Sequence, residues 1–149
     1  DADALRFIAD SGLPGMKVLV YAFDPAGESA YLPHNCPRDA VIYTGTHDTP
    51  TFVQWLFEQA APAERDYAFD YLRLREDEGF GWGAVCGAWM SPCRLAIAPM
   101  QDLLGLGGDA RVNTPGTAGP RNWSWRVRQE ALNPSVSGRL AHITRTYRR

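Results

Sequence analysis

Three short apolar runs stand out along the chain, separated by helical patterns and turns. They cover residues 16–23, 41–45 and 94–99. A nearly continuous apolar run is typical of a strand that is covered on both faces of a parallel sheet. Because parallel strands require crossover connections, which are right-handed, the pattern predicts three parallel strands that are neighbours in one sheet.

Helical patterns surround these runs, so the predicted fold class is α/β. Thr49 suits an N-cap and Pro50 a first helical position, and Pro62 suits the start of a longer helix. The segment from Asp24 to Asp39 is rich in Pro and Gly and predicts a long connection, of the kind that is often functional. The predicted helices cover residues 1–11, a short segment from Pro50, a segment from Pro62 towards Gly79, residues 82–90 and residues 136–147.

The second run leads into Thr-Gly-Thr-His-Asp at residues 44–48, which places an imidazole and a carboxylate directly after a predicted strand. Barrels of parallel strands present catalytic groups at this C-terminal edge, which makes Asp48 the first candidate. The alternative is that His47 and Asp48 only form a hydrogen-bonded turn and an N-cap. The polar pair Gln101-Asp102 follows the third run and should lie at the same edge, where Asp102 could be a cap or a structural carboxylate.

Carboxylates at such an edge indicate acid–base or glycosidic chemistry, in which two carboxylates typically flank the bond that breaks. Aromatic residues in the loops would suit stacking on sugar rings, although each of them could equally pack in the core or at its rim. These residues are Tyr31, Trp55, Trp123 and Trp125.

Length and charge narrow the classes of function. At 149 residues and 45% hydrophobic content, the chain is long enough for one core. A net charge of -2 without a basic stripe argues against a nucleic-acid partner. No apolar run approaches the roughly 20 residues of a membrane span, so no membrane partner is expected.

The cysteines and histidines predict neither a disulfide framework nor a metal site. Cys36, Cys86 and Cys93 have no Cys-x-x-Cys spacing and are odd in number, which favours a reducing cytoplasm. His34 and His47 lack the paired spacing of a metal site, and no cofactor is expected. Since the chain starts with Asp1 in the middle of a helical pattern, we expect it to be a fragment.

Four segments of the sequence carry specific patterns: Leu-Pro-Gly-Met-Lys-Val-Leu at 13–19, Tyr-Leu-Pro-His-Asn at 31–35, Tyr-Thr-Gly-Thr-His-Asp at 43–48, and Pro-Met-Gln-Asp-Leu-Leu-Gly-Leu-Gly at 99–107 continuing to Arg126. These segments resemble the 4-alpha-glucanotransferases, the amylomaltases of glycoside hydrolase family 77. They occur in the order found in that family and cover most of residues 13–126. The chain departs from the family at Thr49-Pro50-Thr51, where the family often has Asn-Asp-Thr.

The resemblance implies that residues 1–149 are one partial domain, roughly the last three βα units of a (β/α)8 barrel (TIM barrel). It implies a retaining transfer of alpha-1,4-glucan segments, in which Asp48 matches the carboxylate that stabilises the transition state. His47, Asn113 and Pro115 match positions that contact the glucan. The nucleophilic Asp and the acid/base Glu have no match in this chain, so the isolated chain is expected to be inactive.

Two alternatives to an enzyme remain open from the sequence. One is a non-catalytic module that binds alpha-1,4-glucans by aromatic stacking. The other is a barrel remnant that associates with itself, because three parallel strands leave two open edges where a closed barrel has none. Self-association of the isolated chain is expected in either case.

Overall fold

The computed structural model describes residues 2–149, apart from the side chains of residues 2, 4, 5 and 9. Strands β1 (Gly15–Val18), β2 (Ala40–Tyr43) and β3 (Leu95–Ile97) form one sheet in the order β1-β2-β3. Both pairs are parallel, and Tyr43 is level with Val18 on one side and with Ile97 on the other. The prediction of three parallel neighbours is therefore confirmed, and the strands end together at one edge.

The first strand is shorter than predicted. Residues Leu19–Tyr21 form a 3-10 helix, so only the beginning of the apolar run 16–23 lies in the sheet. Leu19, Val20 and Phe23 are nevertheless buried, because burial alone does not distinguish a strand from a helical turn. The expected covering of both strand faces is also wrong for β1, where Met16 is 57% exposed.

The third strand also departs from the prediction. Leu95 and Ile97 are 49% and 37% exposed, while Ala96 between them is half-buried. This alternation places Ala96 towards the core and leaves the other two side chains at the surface of an edge strand.

The helices occupy most of the predicted positions, with corrected ends. The helix from Pro62 ends at Leu72 because Arg73 adopts a left-handed conformation (φ 53°), and Gly79 precedes the next helix instead of ending this one. The helices are α1 (Ala2–Ser11), α2 (Phe52–Gln54) continued by a π-helix (Trp55–Gln59), α3 (Pro62–Leu72), α4 (Phe80–Met90), α5 (Met100–Leu103) and α6 (Pro134–Thr146), with 3-10 turns at Leu19–Tyr21, Pro33–Asn35, Gly108–Ala110 and Gln129–Ala131.

The N-cap of α2 is Thr51, not Thr49 as predicted. The Oγ1 atom of Thr51 accepts a hydrogen bond from the backbone N–H of Gln54 at 3.1 Å. Thr49 lies in the preceding turn, where its hydroxyl accepts from the N–H of Thr46 at 2.8 Å. Both threonines can satisfy a free backbone donor, so the pattern alone did not separate the cap from the turn.

The connection between β1 and β2 contains a 3-10 turn at Pro33–Asn35, whereas α2, α3 and α4 lie between β2 and β3. The loop is fastened to α3 by a hydrogen bond of 2.7 Å between His34 Nδ1 and the hydroxyl of Tyr71. The structure therefore has parallel strands and helices as predicted, although the first strand is not followed by an α-helix of its own.

Two apolar clusters form the core. The first joins the segment after β1 to α2 and α3, with Phe23, Phe52 and Leu56 fully or almost fully buried. The second joins β2, α4 and α6, with Ile42 and Val85 fully buried. Among the residues described, no helix is both long and apolar enough to cross a membrane.

Helix α4 packs closely against α5 through a glycine. A Cβ atom at Gly81 would lie 2.1 Å from the carbonyl oxygen of Asp102, so only glycine allows this approach. The contact fixes the backbone of α5 next to the edge at which β2 ends.

Candidate functional site

The turn that follows β2 is held by its own threonines. The hydroxyl of Thr49 donates to the carbonyl of Thr46 or of Pro50, at 3.2 and 3.1 Å, in addition to accepting from the N–H of Thr46. The hydroxyl of Thr46 accepts from the N–H of Asp48 at 3.3 Å. Consequently the polar groups of the turn are directed inwards, and the side chains of His47 and Asp48 extend outwards.

Asp48 carries a half-exposed carboxylate with a different neighbour on each oxygen. Asn113 Nδ2 donates to Asp48 Oδ1 at 2.6 Å, and His47 Nε2 lies 3.4 Å from Asp48 Oδ2. The side chains of His47 and Asp48 are 56% and 49% exposed. One oxygen is thus held in place while the other faces the imidazole and solvent.

Arg111 joins the loop that bears Asn113 to the turn that bears Asp48. Its Nη2 donates to the carbonyl of Asp48 and its Nε to the carbonyl of Asn113, both at 2.8 Å. The N–H of Asn113 also donates to the carbonyl of His47 at 3.0 Å. Sequence reasoning did not single out Arg111 as a site residue, although it lies within the last of the family-like segments.

Trp123 covers one side of His47. Their ring centroids are 5.1 Å apart with an interplanar angle of 37°, and Trp123 remains 58% exposed. Trp123 has a φ of 62°, which is unusual for a bulky residue, and its N–H donates to the carbonyl of Val112 at 2.7 Å. An exposed aromatic face beside the imidazole and the carboxylate is suited to an apolar sugar face.

Pro115 lies in an exposed turn two residues beyond Asn113. The N–H of Thr117 donates to the carbonyl of Thr114 at 3.2 Å, and Gly116 has a φ of 75°. Pro followed by a left-handed Gly is the arrangement of a type II turn. The site residues predicted from the sequence therefore lie in two neighbouring loops, with His47, Asp48 and Asn113 in direct contact and Pro115 at the rim.

Gln101 and Asp102 lie at the predicted edge, but both are buried. Gln101 is 5% exposed and donates from Nε2 to the carbonyl of Ala110 at 3.1 Å. Asp102 is fully buried and accepts hydrogen bonds from Thr44 and Phe52. Their burial favours the structural alternative, because both side chains are held by hydrogen bonds within the protein.

Two concave surfaces adjoin the site. A cavity of about 170 Å³ lies beneath the turn, between residues 46–51 and Gln101-Asp102. A groove of about 620 Å³ runs between Gln54 and the loop that carries Arg121 and Trp125, and Arg111 and Thr114 also line it. Within the described part of the chain, no group of three or more His, Cys, Asp or Glu side chains could hold a metal ion.

The arrangement can provide a fixed negative charge at an open surface. A carboxylate held by an amide donor does not have to reorganise when positive charge develops nearby, so its stabilisation of that charge is available at once. The imidazole and the aromatic ring next to it can hold a polyhydroxylated ring by hydrogen bonds and by stacking.

Comparison with known proteins gives this geometry a family context. The family model described as 4-alpha-glucanotransferase matches residues 2–132. The 4-alpha-glucanotransferase of Clostridium butyricum is 38% identical over 147 residues, and that of Synechocystis sp. is 43% identical over 150 residues. These alignments cover 99% and 100% of this chain, but only 30% and 29% of the two relatives.

A solved structure gives the same result. The amylomaltase from Streptococcus agalactiae, determined in complex with acarbose, superposes with a TM-score of 0.94 at 34% sequence identity. The superposition covers 100% of this chain and 30% of that one. The chain thus spans about 30% of the length of these proteins.

Proposed function

The chain belongs to the 4-alpha-glucanotransferase family, and from this premise we propose that it forms the C-terminal part of a (β/α)8 catalytic barrel. In this proposal residues 1–149 are one partial domain of an enzyme that transfers alpha-1,4-glucan segments between maltooligosaccharides or starch chains. The parallel order of the strands, with the polar turn at their C-terminal edge, supports it.

The observation that carries the proposal is the hydrogen bond of 2.6 Å that Asn113 donates to the half-exposed carboxylate of Asp48. A retaining transfer passes through a transition state with positive charge at the anomeric carbon. Asp48 would stabilise that charge without forming a bond to the sugar. Because Asn113 already fixes one oxygen, the carboxylate requires little reorganisation when the charge develops.

His47, Asn113 and Pro115 would contact the glucan around this carboxylate. The imidazole of His47 is exposed and can donate a hydrogen bond to a sugar hydroxyl, which would hold the ring in the correct position. Pro115 presents a rigid apolar rim at the turn beyond Asn113. Trp123, which already packs on His47, extends this surface.

The double displacement needs two further carboxylates, and we place both in the part of the barrel outside residues 1–149. A nucleophilic Asp would form a bond to the anomeric carbon while an acid/base Glu protonates the leaving oxygen. The same Glu would then remove the proton of the acceptor hydroxyl as that oxygen replaces the nucleophile. The isolated chain lacks these two groups in our proposal and is therefore inactive, and we expect the complete protein in the cytoplasm.

The test uses the protein expressed from its complete reading frame. Incubation with maltotriose should give glucose together with maltooligosaccharides longer than the substrate, all linked alpha-1,4. Glucose and maltose without longer products would show hydrolysis instead of transfer. Binding of maltooligosaccharides without new products would favour the non-catalytic glucan-binding alternative.

Exposed apolar side chains on the sheet support the alternative in which the chain associates with itself. Met16 on β1, and Leu95 and Ile97 on β3, leave apolar side chains exposed on the two outer strands of the sheet. This favours self-association of the isolated chain. It does not compete with the enzymatic proposal if the complete barrel covers the same strands.

A further inference from the structure

Asp102 is the only acidic residue that is buried within the part of the chain that the structure describes. Burial raises the pKa of its carboxyl group, and the hydrogen bonds from Thr44 and from the backbone N–H of Phe52 act in the opposite direction. A buried carboxyl group is costly unless its oxygens are satisfied, so its position next to the site requires an explanation.

Both oxygens of Asp102 bind the segment that carries Asp48, one at each end. Thr44 Oγ1 donates to Oδ2 at 2.5 Å, and the N–H of Phe52 donates to Oδ1 at 2.8 Å. Thr44 is the first residue after β2, and Phe52 is the first residue of α2. The segment 45–51, which carries Asp48, is therefore held at both of its ends by the same carboxylate.

The backbone of Asp102 is itself fixed. Its N–H donates to the carbonyl of Pro99 at 3.1 Å, and its carbonyl accepts from the N–H of Gly105 at 3.2 Å. On the other side, Gly81 of α4 packs so closely that a Cβ atom there would lie 2.1 Å from the carbonyl oxygen of Asp102. Asp102 can therefore transmit the position of the packed helices α4 and α5 to the turn above it.

We propose that Asp102 is a positioning residue for Asp48. By holding Thr44 and Phe52 together, it fixes both ends of the segment 45–51 and so the direction in which the Asp48 carboxylate points. The inference rests on the proposed function, because it matters for the rate only if Asp48 acts on a transition state. A misplacement of roughly 1 Å at a reacting centre can lower a rate by about 10²-fold.

A matched pair of threonine substitutions tests this role in the protein expressed from its complete reading frame. Thr44→Val removes the hydroxyl that binds Asp102. Thr144→Val is the control. It removes a hydroxyl on helix α6 that accepts a hydrogen bond from Trp89 Nε1 at 3.1 Å and does not belong to the turn. Thr44→Ser keeps the hydroxyl and serves as the conservative rescue.

We expect Thr44→Val to lower kcat for transfer from maltotriose at least tenfold with little change in KM, because the carboxylate is misdirected while the glucan contacts remain. Thr44→Ser should stay within about threefold of the wild type, and Thr144→Val should keep full kcat despite a lower Tm. Equal kcat in all three variants would overturn the proposal. So would a loss of kcat in Thr144→Val as large as that in Thr44→Val, since general destabilisation would then explain both.

Hydrogen exchange separates this inference from the proposed function. If the wild type transfers no glucan, the proposed function fails, and amide exchange over residues 45–51 then decides the positioning role. Faster exchange of this segment in Thr44→Val but not in Thr144→Val would support Asp102 as its anchor. Unchanged exchange in Thr44→Val would overturn it.

Discussion

Asn113 donates a hydrogen bond of 2.6 Å to Asp48 across 65 residues of sequence. The two residues lie in loops that Arg111 fastens together, since its guanidinium binds the carbonyl groups of both residues. The carboxylate is thus oriented by a second loop and not only by the turn in which it lies.

This relationship predicts that Asn113 supports the action of Asp48. In the complete protein, Asn113→Ala should lower kcat for transfer about tenfold, because Asp48 keeps its charge but loses the donor that orients it. Asn133→Ala removes an amide that caps α6 and should lower Tm without lowering kcat. In a double-mutant cycle, Asn113→Ala should cost little more in a protein that already carries Asp48→Asn, and full additivity of the two losses would contradict the proposed coupling.

Replacing the Asp48 charge itself should have a larger effect. Asp48→Asn keeps the shape of the side chain and an oxygen that can still accept from Asn113, so folding should be almost unchanged. Loss of about 3–5 kcal/mol of transition-state stabilisation corresponds to roughly 10²–10⁴ in rate. The control variant is Asp70→Asn, which removes the charge of an exposed carboxylate on α3 and should retain wild-type kcat. A loss of less than fivefold in Asp48→Asn would mean that its charge is not needed.

The sequence predicted the sheet better than the ends of its elements. Apolar runs separated by helical patterns were sufficient for three parallel strands, because few other arrangements bury such runs. They could not show that β1 stops at Val18, since Leu19 and Val20 are buried equally well in a helical turn. The sequence also predicted Thr49 instead of Thr51 as the N-cap of α2, because both threonines have a hydroxyl next to a free backbone N–H.

For the candidate site, too, the local pattern predicted positions along the chain but not the contacts between them. The position of Asp48 after a strand could be predicted from local pattern, and Asn113 only from the family resemblance. The contact between them depends on how the loop 107–125 folds back over the turn, and Arg111 holds it there through backbone carbonyl groups. Contacts of a side chain with a distant backbone leave no periodic signal in a sequence.

Cys36 gives a prediction for pH. Burial first, and then the neighbouring Cys93, raise the pKa of the Cys36 thiol from its usual value of 9.0 to about 12. Since the folded-state pKa exceeds the unfolded one, the neutral thiol contributes stability that is fully present below pH 9 and is lost between pH 9 and 12. Labelling of Cys36 by a thiol reagent, followed by mass spectrometry, should therefore still rise about tenfold per pH unit between pH 9 and 10.5 in the folded protein.

The unfolded chain is the control for this titration. In denaturant, labelling of Cys36 should level off above pH 9, as expected for a solvated thiol. A plateau near pH 9 in the folded protein as well would show that the thiol is not protected from ionisation.

The exposed edges of the sheet predict the solution state of the isolated chain. Purified residues 1–149 should be dimeric or larger, because Met16 and Ile97 leave apolar side chains exposed on the two outer strands, each of which has one unpaired edge. Ile97→Lys should shift the molecular mass measured by light scattering towards the monomer. Leu132→Lys changes a side chain that is 48% exposed and lies outside the sheet, and it should have no such effect. A wild-type chain that is monodisperse and monomeric at high concentration would contradict the prediction.

The last prediction is that residues 1–149 alone transfer no glucan. Asp48 can stabilise a positive charge at the anomeric carbon, but it cannot provide the covalent intermediate and the proton transfers at the same time. Incubation of the purified chain with maltotriose should therefore give neither glucose nor longer oligomers above a blank without protein. The isolated chain carrying Asp48→Asn is the matched control for contaminating activity. Products that appear with the wild-type chain and disappear with this variant would mean that the nucleophile and the acid/base lie within these 149 residues.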